Sequence, residues 1–191
     1  MFNTGKFSPL DKAKSRFVTN KRFRFYAVLL MKMDVRYATP AEEMFCGTAG
    51  TDGRKMIFNR SFFDPLTQGQ QVGLIAHEVE HVARKHHLRR GEKDPSLWNE
   101  AGDHVINLDL LSDSVELPED GLWDDRFKEM STEAVYKVLS DEQPAEPDEP
   151  EQPADTDFPV PSEEEGEGQG EGESGEGESG QGQGQGEGEG E

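Results

Sequence analysis

The sequence predicts an α+β domain, mostly helical with a small sheet or hairpin, followed by a disordered acidic tail. Three observations predict it. Apolar residues recur at helical spacing between capping and stop signals over long stretches before residue 141. One short region alternates in the strand manner on either side of an Asp-Gly pair. The charge is also divided, since all 20 Lys and Arg precede residue 141 while 19 of the 40 Asp and Glu lie in residues 141–191. Residues 1–140 therefore read as one domain, long enough to bury a core, and residues 141–191 as a Pro/Glu/Gly-rich tail or linker. That tail has almost no apolar side chains, its charges repel, and its glycines raise the entropy cost of ordering. The net charge of −20 is thus a property of the tail and says little about what the folded part binds.

Taken in order, residues 11–32 contain no Pro or Gly and carry Phe17, Tyr26, Leu29 and Leu30, which predicts a helix. Its basic run KRFRF, from Lys21, reads as the solvated face of a core helix rather than a nucleic-acid contact. MDVRYA from Met33 and KMIFN from Lys55 read as strands, and TDGR from Thr51 supplies a hairpin turn. Thr67 and Gln70 have capping-box spacing and Gly91 is a natural stop, so the helix between them is expected to run about 23 residues, or roughly 35 Å. A further helix starts near Asp94, with Asp94 or Ser96 as cap and Pro95 in its first turn. MSTEAVYKVL reads as a last short helix capped by Ser131.

Composition narrows the setting. A single cysteine, Cys46, excludes an internal disulfide and suits a reducing, cytoplasmic compartment. FYAVLLMKM is the most apolar run, but it is short and contains Lys32, against about 20 apolar residues for a membrane span. Neither nucleic acid nor a membrane is expected as a partner.

The stretch IAHEVEHVARKHH holds four of the five histidines. Residues four apart share a helix face, with Cβ atoms about 5–6 Å apart. His77 and His81 can therefore each put a ring nitrogen about 2.0–2.1 Å from one zinc ion. Glu78 is one step round, badly placed to complete the same ligand set but near enough to take a proton from a metal-activated water. This is the H-E-x-x-H pattern of two ligands and a general base. On the same helical projection Ile75, Val79, Val82 and His86 form a core stripe, which makes His86 a hydrogen-bonded core histidine, while His87 points outward near Glu80.

A catalytic zinc commonly has three protein ligands and one open position. The helix after Asp94 offers Asp103, on a half-buried stripe with Asn99 and Asn107, which can orient it. Glu100 and His104 are rivals on other faces. Ala101 and Gly102 permit close packing against the histidine helix.

HEVEHVARKHHLRR, then DPSLWNEAGDHVIN, with TAGTDGRKMIFN upstream, resembles the metallopeptidase domain of a bacterial and phage family that joins a zincin-like domain to a von Willebrand A-like domain through a low-complexity linker. The resemblance covers about residues 10–140. It implies a zincin-like fold, Zn²⁺ as cofactor, His77 and His81 as ligands, Glu78 as catalytic acid/base, and Asp103, within W-N-x-A-x-D, as third ligand. Gly102 stands where a second Ala is common in the family. These 191 residues contain no von Willebrand A-like domain, so the expectation is either a free-standing short form or a chain whose von Willebrand A-like or ring-ATPase partner is supplied separately.

The expected function is zinc-dependent hydrolysis of peptide or protein substrates, with Glu78 first as base and then as acid to the leaving amine. Zincins usually lay the substrate along a sheet edge, here expected near Lys55–Asn59, and Tyr136 and His104 are candidate oxyanion donors. The alternative is a catalytically silent, zinc-stabilised binding or adaptor module acting through its acidic tail.

Overall fold

The computed structural model describes residues 7–143, so the tail expected over residues 141–191 lies almost wholly outside the described residues. The described chain is mostly helical with one three-stranded sheet, an α+β arrangement.

Ser8 opens α1 (Pro9–Thr19) with a capping box to Asp11. The single helix expected over 11–32 is in fact two. Asn20 takes an extended conformation and its side chain accepts from Arg22 N, so the chain passes through a short 3-10 turn before α2 (Arg24–Leu30). Such a local side-chain bond competes with the helix without any Pro or Gly. The break lets Phe23 stack on Phe17 with ring centroids 4.7 Å apart.

Strand β1 (Asp34–Tyr37) leads into the short helix α3 (Pro40–Glu43), where Arg36 forks onto both oxygens of Glu42 at 2.7 and 2.8 Å. Strands β2 (Ala49–Thr51) and β3 (Lys55–Phe58) form the expected hairpin. At its turn Gly53 has φ +86°, and Asp52 Oδ1 accepts from Arg54 N and Lys55 N. The strand order is β1-β3-β2, with β1 parallel and β2 antiparallel to β3. β3 is therefore paired on both sides, and the substrate edge expected along Lys55–Asn59 does not exist. The edges are β1 and β2. On β2, Thr48 O accepts from Asn59 N, and Asp52 N donates to Lys55 O. Antiparallel alternation then directs the backbone groups of Ala49 and Thr51 away from β3.

After the short helix α4 (Arg60–Phe63), α5 (Gln68–Ala83) begins with the capping box Thr67–Gln70. It ends about two turns before the expected stop at Gly91. Lys85 adopts the left-handed conformation, φ 56°, and a separate short helix α6 (His86–Arg89) follows. α7 (Pro95–Ser112) is capped by Asp94, whose carboxylate accepts from Leu97 N at 2.7 Å. α8 (Thr132–Glu142) is capped by Ser131.

The main core joins α1, α2, α5, α7 and the sheet through Phe17, Met56, Phe58, Phe63, Ile75, Val79 and Ile106. A second cluster of Leu97, Ala101, Val105, Phe127, Val135 and Leu139 holds α8 to the other side of α7. Among the described residues no helix is long and apolar enough to cross a membrane.

The chain leaving α7 crosses α5 at Gly73, where a Cβ would stand 1.9 Å from Glu116 O. Backbone cannot yield as a side chain tip can, so Gly73→Ala is expected to cost about 1–3 kcal/mol, the usual range for overpacking. Urea unfolding measures this, and an unchanged midpoint would mean the crossing is looser than described.

Candidate metal centre

α5 packs directly against α7, which brings the middle of one helix to the middle of the other. His77 and His81 lie one turn apart on α5, and Asp103 faces them from α7. His77 Nε2 is 3.0 Å from His81 Nε2 and 3.2 Å from Asp103 Oδ1, and His81 Nε2 is 3.0 Å from the same oxygen. Among the described residues, this is the one group of three such side chains whose ligand atoms all lie within 4.8 Å of one another. A tetrahedral ion with bonds of about 2.0–2.1 Å holds its ligands roughly 3.3 Å apart, so the spacing suits a small divalent cation.

The hydrogen bonds behind the cluster point the same way. Asn107 Nδ2 donates to Leu122 O at 2.8 Å, which leaves its Oδ1 to accept from His77 Nδ1 at 2.7 Å. The His77 proton is thus held on Nδ1, and Nε2 presents a lone pair to a carboxylate oxygen. Two facing lone pairs repel unless a proton or a metal cation sits between them. Without metal, burial works against a charged His77, but the hydrogen bond and charge of Asp103, aided by Glu78, outweigh it and raise its pKa to about 9. Burial likewise opposes an ionised Asp103, yet His77 and His81 hold its carboxyl well below the usual range. The pocket is built for positive charge, and the residues present fit a divalent ion.

Asn99 Nδ2 reaches Asp103 Oδ2 at 3.3 Å, so of the two asparagines one orients the carboxylate and the other orients His77. Glu78 is buried. Burial raises its pKa, and the nearby histidines offset this only in part. It lines a cavity of about 160 Å³ together with His77, Asp103, Thr48, Phe62, Leu74 and Leu122. A second, smaller cavity on the far side is lined by His81, Thr51, His87 and Trp98. Strand β2 therefore runs past the donors with Thr48 at one cavity and Thr51 at the other.

The remaining sequence candidates go elsewhere. Glu100 sits beside His104, whose ring packs on Phe127 and whose Nδ1 is buried with no hydrogen-bond partner among the described residues. Tyr136 Oη accepts from Asp94 N and its ring meets Trp98. Neither His104 nor Tyr136 is among the residues that line the two cavities beside the donors. His87 faces the Gly53 turn instead of Glu80, with its Nε2 2.6 Å from where a Gly53 Cβ would lie. His86 is buried and hydrogen-bonded, as the projection suggests, but it does not reach that place by continuing α5. The left-handed Lys85 swings it back so that its Nδ1 lies 3.0 Å from His81 Nδ1. No periodicity could foresee that contact, because the helix breaks between the two residues.

Fold and site together define a class, an α+β domain with a candidate mononuclear metal centre on an H-E-x-x-H helix. The family comparison gives that class its name: residues 6–191 match the family described as "Putative metallopeptidase domain", and the chain belongs to that family. A metallopeptidase family implies a bound metal ion and a peptide or protein substrate. No curated protein and no solved structure matches the chain.

Proposed function

We propose that the chain is a zinc-dependent peptidase in which His77, His81 and Asp103 hold the ion and Glu78 is the general base. The convergence of the three donor atoms at 3.0–3.2 Å, with Glu78 on the wall of the adjoining cavity, carries this reading. Two imidazoles and one carboxylate form a borderline donor set that suits zinc. The ion supplies Lewis acidity, which acidifies a water and polarises a substrate carbonyl.

The chain's own residues do the rest. Glu78 accepts a proton from the attacking water, and its raised pKa then favours handing that proton to the leaving amine. Ala49 and Thr51 on the β2 edge offer backbone groups to an extended peptide, which would add to the sheet as a fourth strand. Phe62, Leu74 and Leu122 give the cavity beside Glu78 an apolar wall, which fits an apolar substrate side chain next to the scissile bond.

Incubation of purified protein with a fluorogenic peptide library tests the reading. Cleavage should require a divalent ion, stop with a chelator, and favour sites with an apolar neighbour. Zinc-loaded protein that cleaves nothing, at any peptide length, would count against it.

The acidic tail separates this reading from an adaptor. Removing residues 144–191 is expected to leave hydrolysis of small peptides within about twofold, because none of the site donors lies there and a solvated charge run acts mainly through long-range, salt-screened fields. A collapse of peptide turnover would favour an adaptor acting through the tail. A von Willebrand A-like protein or ring ATPase is the partner class that the sequence resemblance offers.

A further inference from the structure

An imidazole that gives its Nε2 lone pair to a cation must keep its proton on Nδ1, and a buried Nδ1–H needs an acceptor. For His77 that acceptor is Asn107 Oδ1, an amide oxygen that can only accept. For His81 it is another imidazole, since His86 Nδ1 lies 3.0 Å from His81 Nδ1. His86 Nε2 in turn meets Thr132 Oγ1 at 3.2 Å. His86 and Thr132 are 4% and 3% exposed, so both partners of the chain are buried side chains.

This three-member chain has two internally consistent arrangements. In the first, Thr132 donates to His86 Nε2, His86 Nδ1–H donates to His81 Nδ1, and His81 keeps its proton on Nε2, facing Asp103 Oδ1. A cation is then shut out. In the second every bond is reversed: His81 Nδ1–H donates to His86 Nδ1, and His86 Nε2–H donates to Thr132 Oγ1. His81 Nε2 is then bare: its proton is lost to solvent as the ion arrives, one proton shifts along each bond of the chain, and Thr132 Oγ1 regains one, so each member still carries a single proton. A hydroxyl both gives and takes a hydrogen bond, which is why Thr132 permits the reversal.

We propose that His86, backed by Thr132, is a positioning residue for the metal centre, and that the His81–His86–Thr132 chain reverses its hydrogen bonds when the ion binds. The proposal rests on the metal site proposed above and extends it to two residues outside the ligand set. Three further features hold His86 in place for this role. The left-handed Lys85 turns the ring back toward His81. Trp98 Nε1 donates to His86 O at 3.0 Å and fixes the backbone. Gly102 leaves the room, since a Cβ there would stand 2.8 Å from His86 Nδ1 and 3.4 Å from His81 Cε1.

The test uses the full chain with ¹⁵N-labelled histidine. Long-range ¹H–¹⁵N spectra of zinc-loaded protein should show His81 protonated on Nδ1 and His86 protonated on Nε2. Thr132→Val is nearly isosteric and removes only the terminal acceptor. It should weaken zinc binding about 10-fold, and His86→Leu or Gly102→Ala should weaken it up to roughly 100-fold, the range for loss of an outer partner of a metal ligand. His86→Asn, whose side-chain oxygen can accept from His81, should recover most of the loss. If His86→Leu fails to fold, Thr132→Val and the wild-type spectra still decide. A zinc-loaded His86 protonated on Nδ1, or Thr132→Val and His86→Leu proteins that bind zinc as tightly as wild type, would overturn the proposal while leaving the peptidase reading intact. Wild-type protein that takes up no zinc would overturn both.

Discussion

Glu78→Gln is expected to lower peptide turnover by about 10²–10⁴-fold or more, the range in which a positioned general acid–base contributes, while zinc stays bound. The substitution keeps the shape of the side chain and removes its ability to accept the proton of the attacking water. Glu78 is not among the three converging donors, so the metal should be unaffected. Burial has already raised its pKa, and the amide places no new charge in the pocket. Turnover and metal content measured on the same sample separate the two roles. Wild-type turnover in Glu78→Gln would remove Glu78 as the base, and loss of zinc would make it a ligand.

The second large effect is expected at Asp103. Asp103→Ala should weaken zinc binding by more than the roughly 10–100-fold cost of losing an outer partner, because a donor atom itself is removed. The metal-free protein carries an independent signature. Its His77 should titrate near 9, held up by the hydrogen bond and charge of Asp103 against the opposing effect of burial. In Asp103→Ala that support is gone and the pKa should fall toward or below the ordinary histidine range. The sign matters for pH dependence. A histidine raised on folding adds stability to the metal-free protein below its unfolded pKa, about 6.5, and loses it as pH rises through about 9. Protons and metal compete for His77, so zinc affinity should increase with pH over the same window. Histidine titration by NMR and zinc competition at several pH values check both statements. A flat affinity between pH 6 and 9 would contradict the account.

Much of the architecture could be read from the chain because it rests on local signals. The capping box at Thr67 and Gln70, the Asp94 cap and the Asp-Gly turn each act over three or four residues, and the structure shows all three. The facing of α5 and α7 was legible for a similar reason, since fixed helical spacing puts His77 and His81 on one face and Asn99, Asp103 and Asn107 on another. What could not be read depends on backbone choices that compete closely. Asn20 divides the first helix with one side-chain hydrogen bond, and the left-handed Lys85 ends α5 before Gly91. The second break matters most, because it turns the buried His86 ring toward His81. Strand order was also hidden. Pairing across distant segments put β3 in the centre, and with it moved the available edge to β2.

The central claim is that His77, His81 and Asp103 grip one divalent ion, and anomalous scattering from crystals at the zinc edge tests it most directly. The account predicts a single peak within bonding distance of His77 Nε2, His81 Nε2 and Asp103 Oδ1. Zinc-supplemented crystals with no peak there, or with the peak on other side chains, would contradict it.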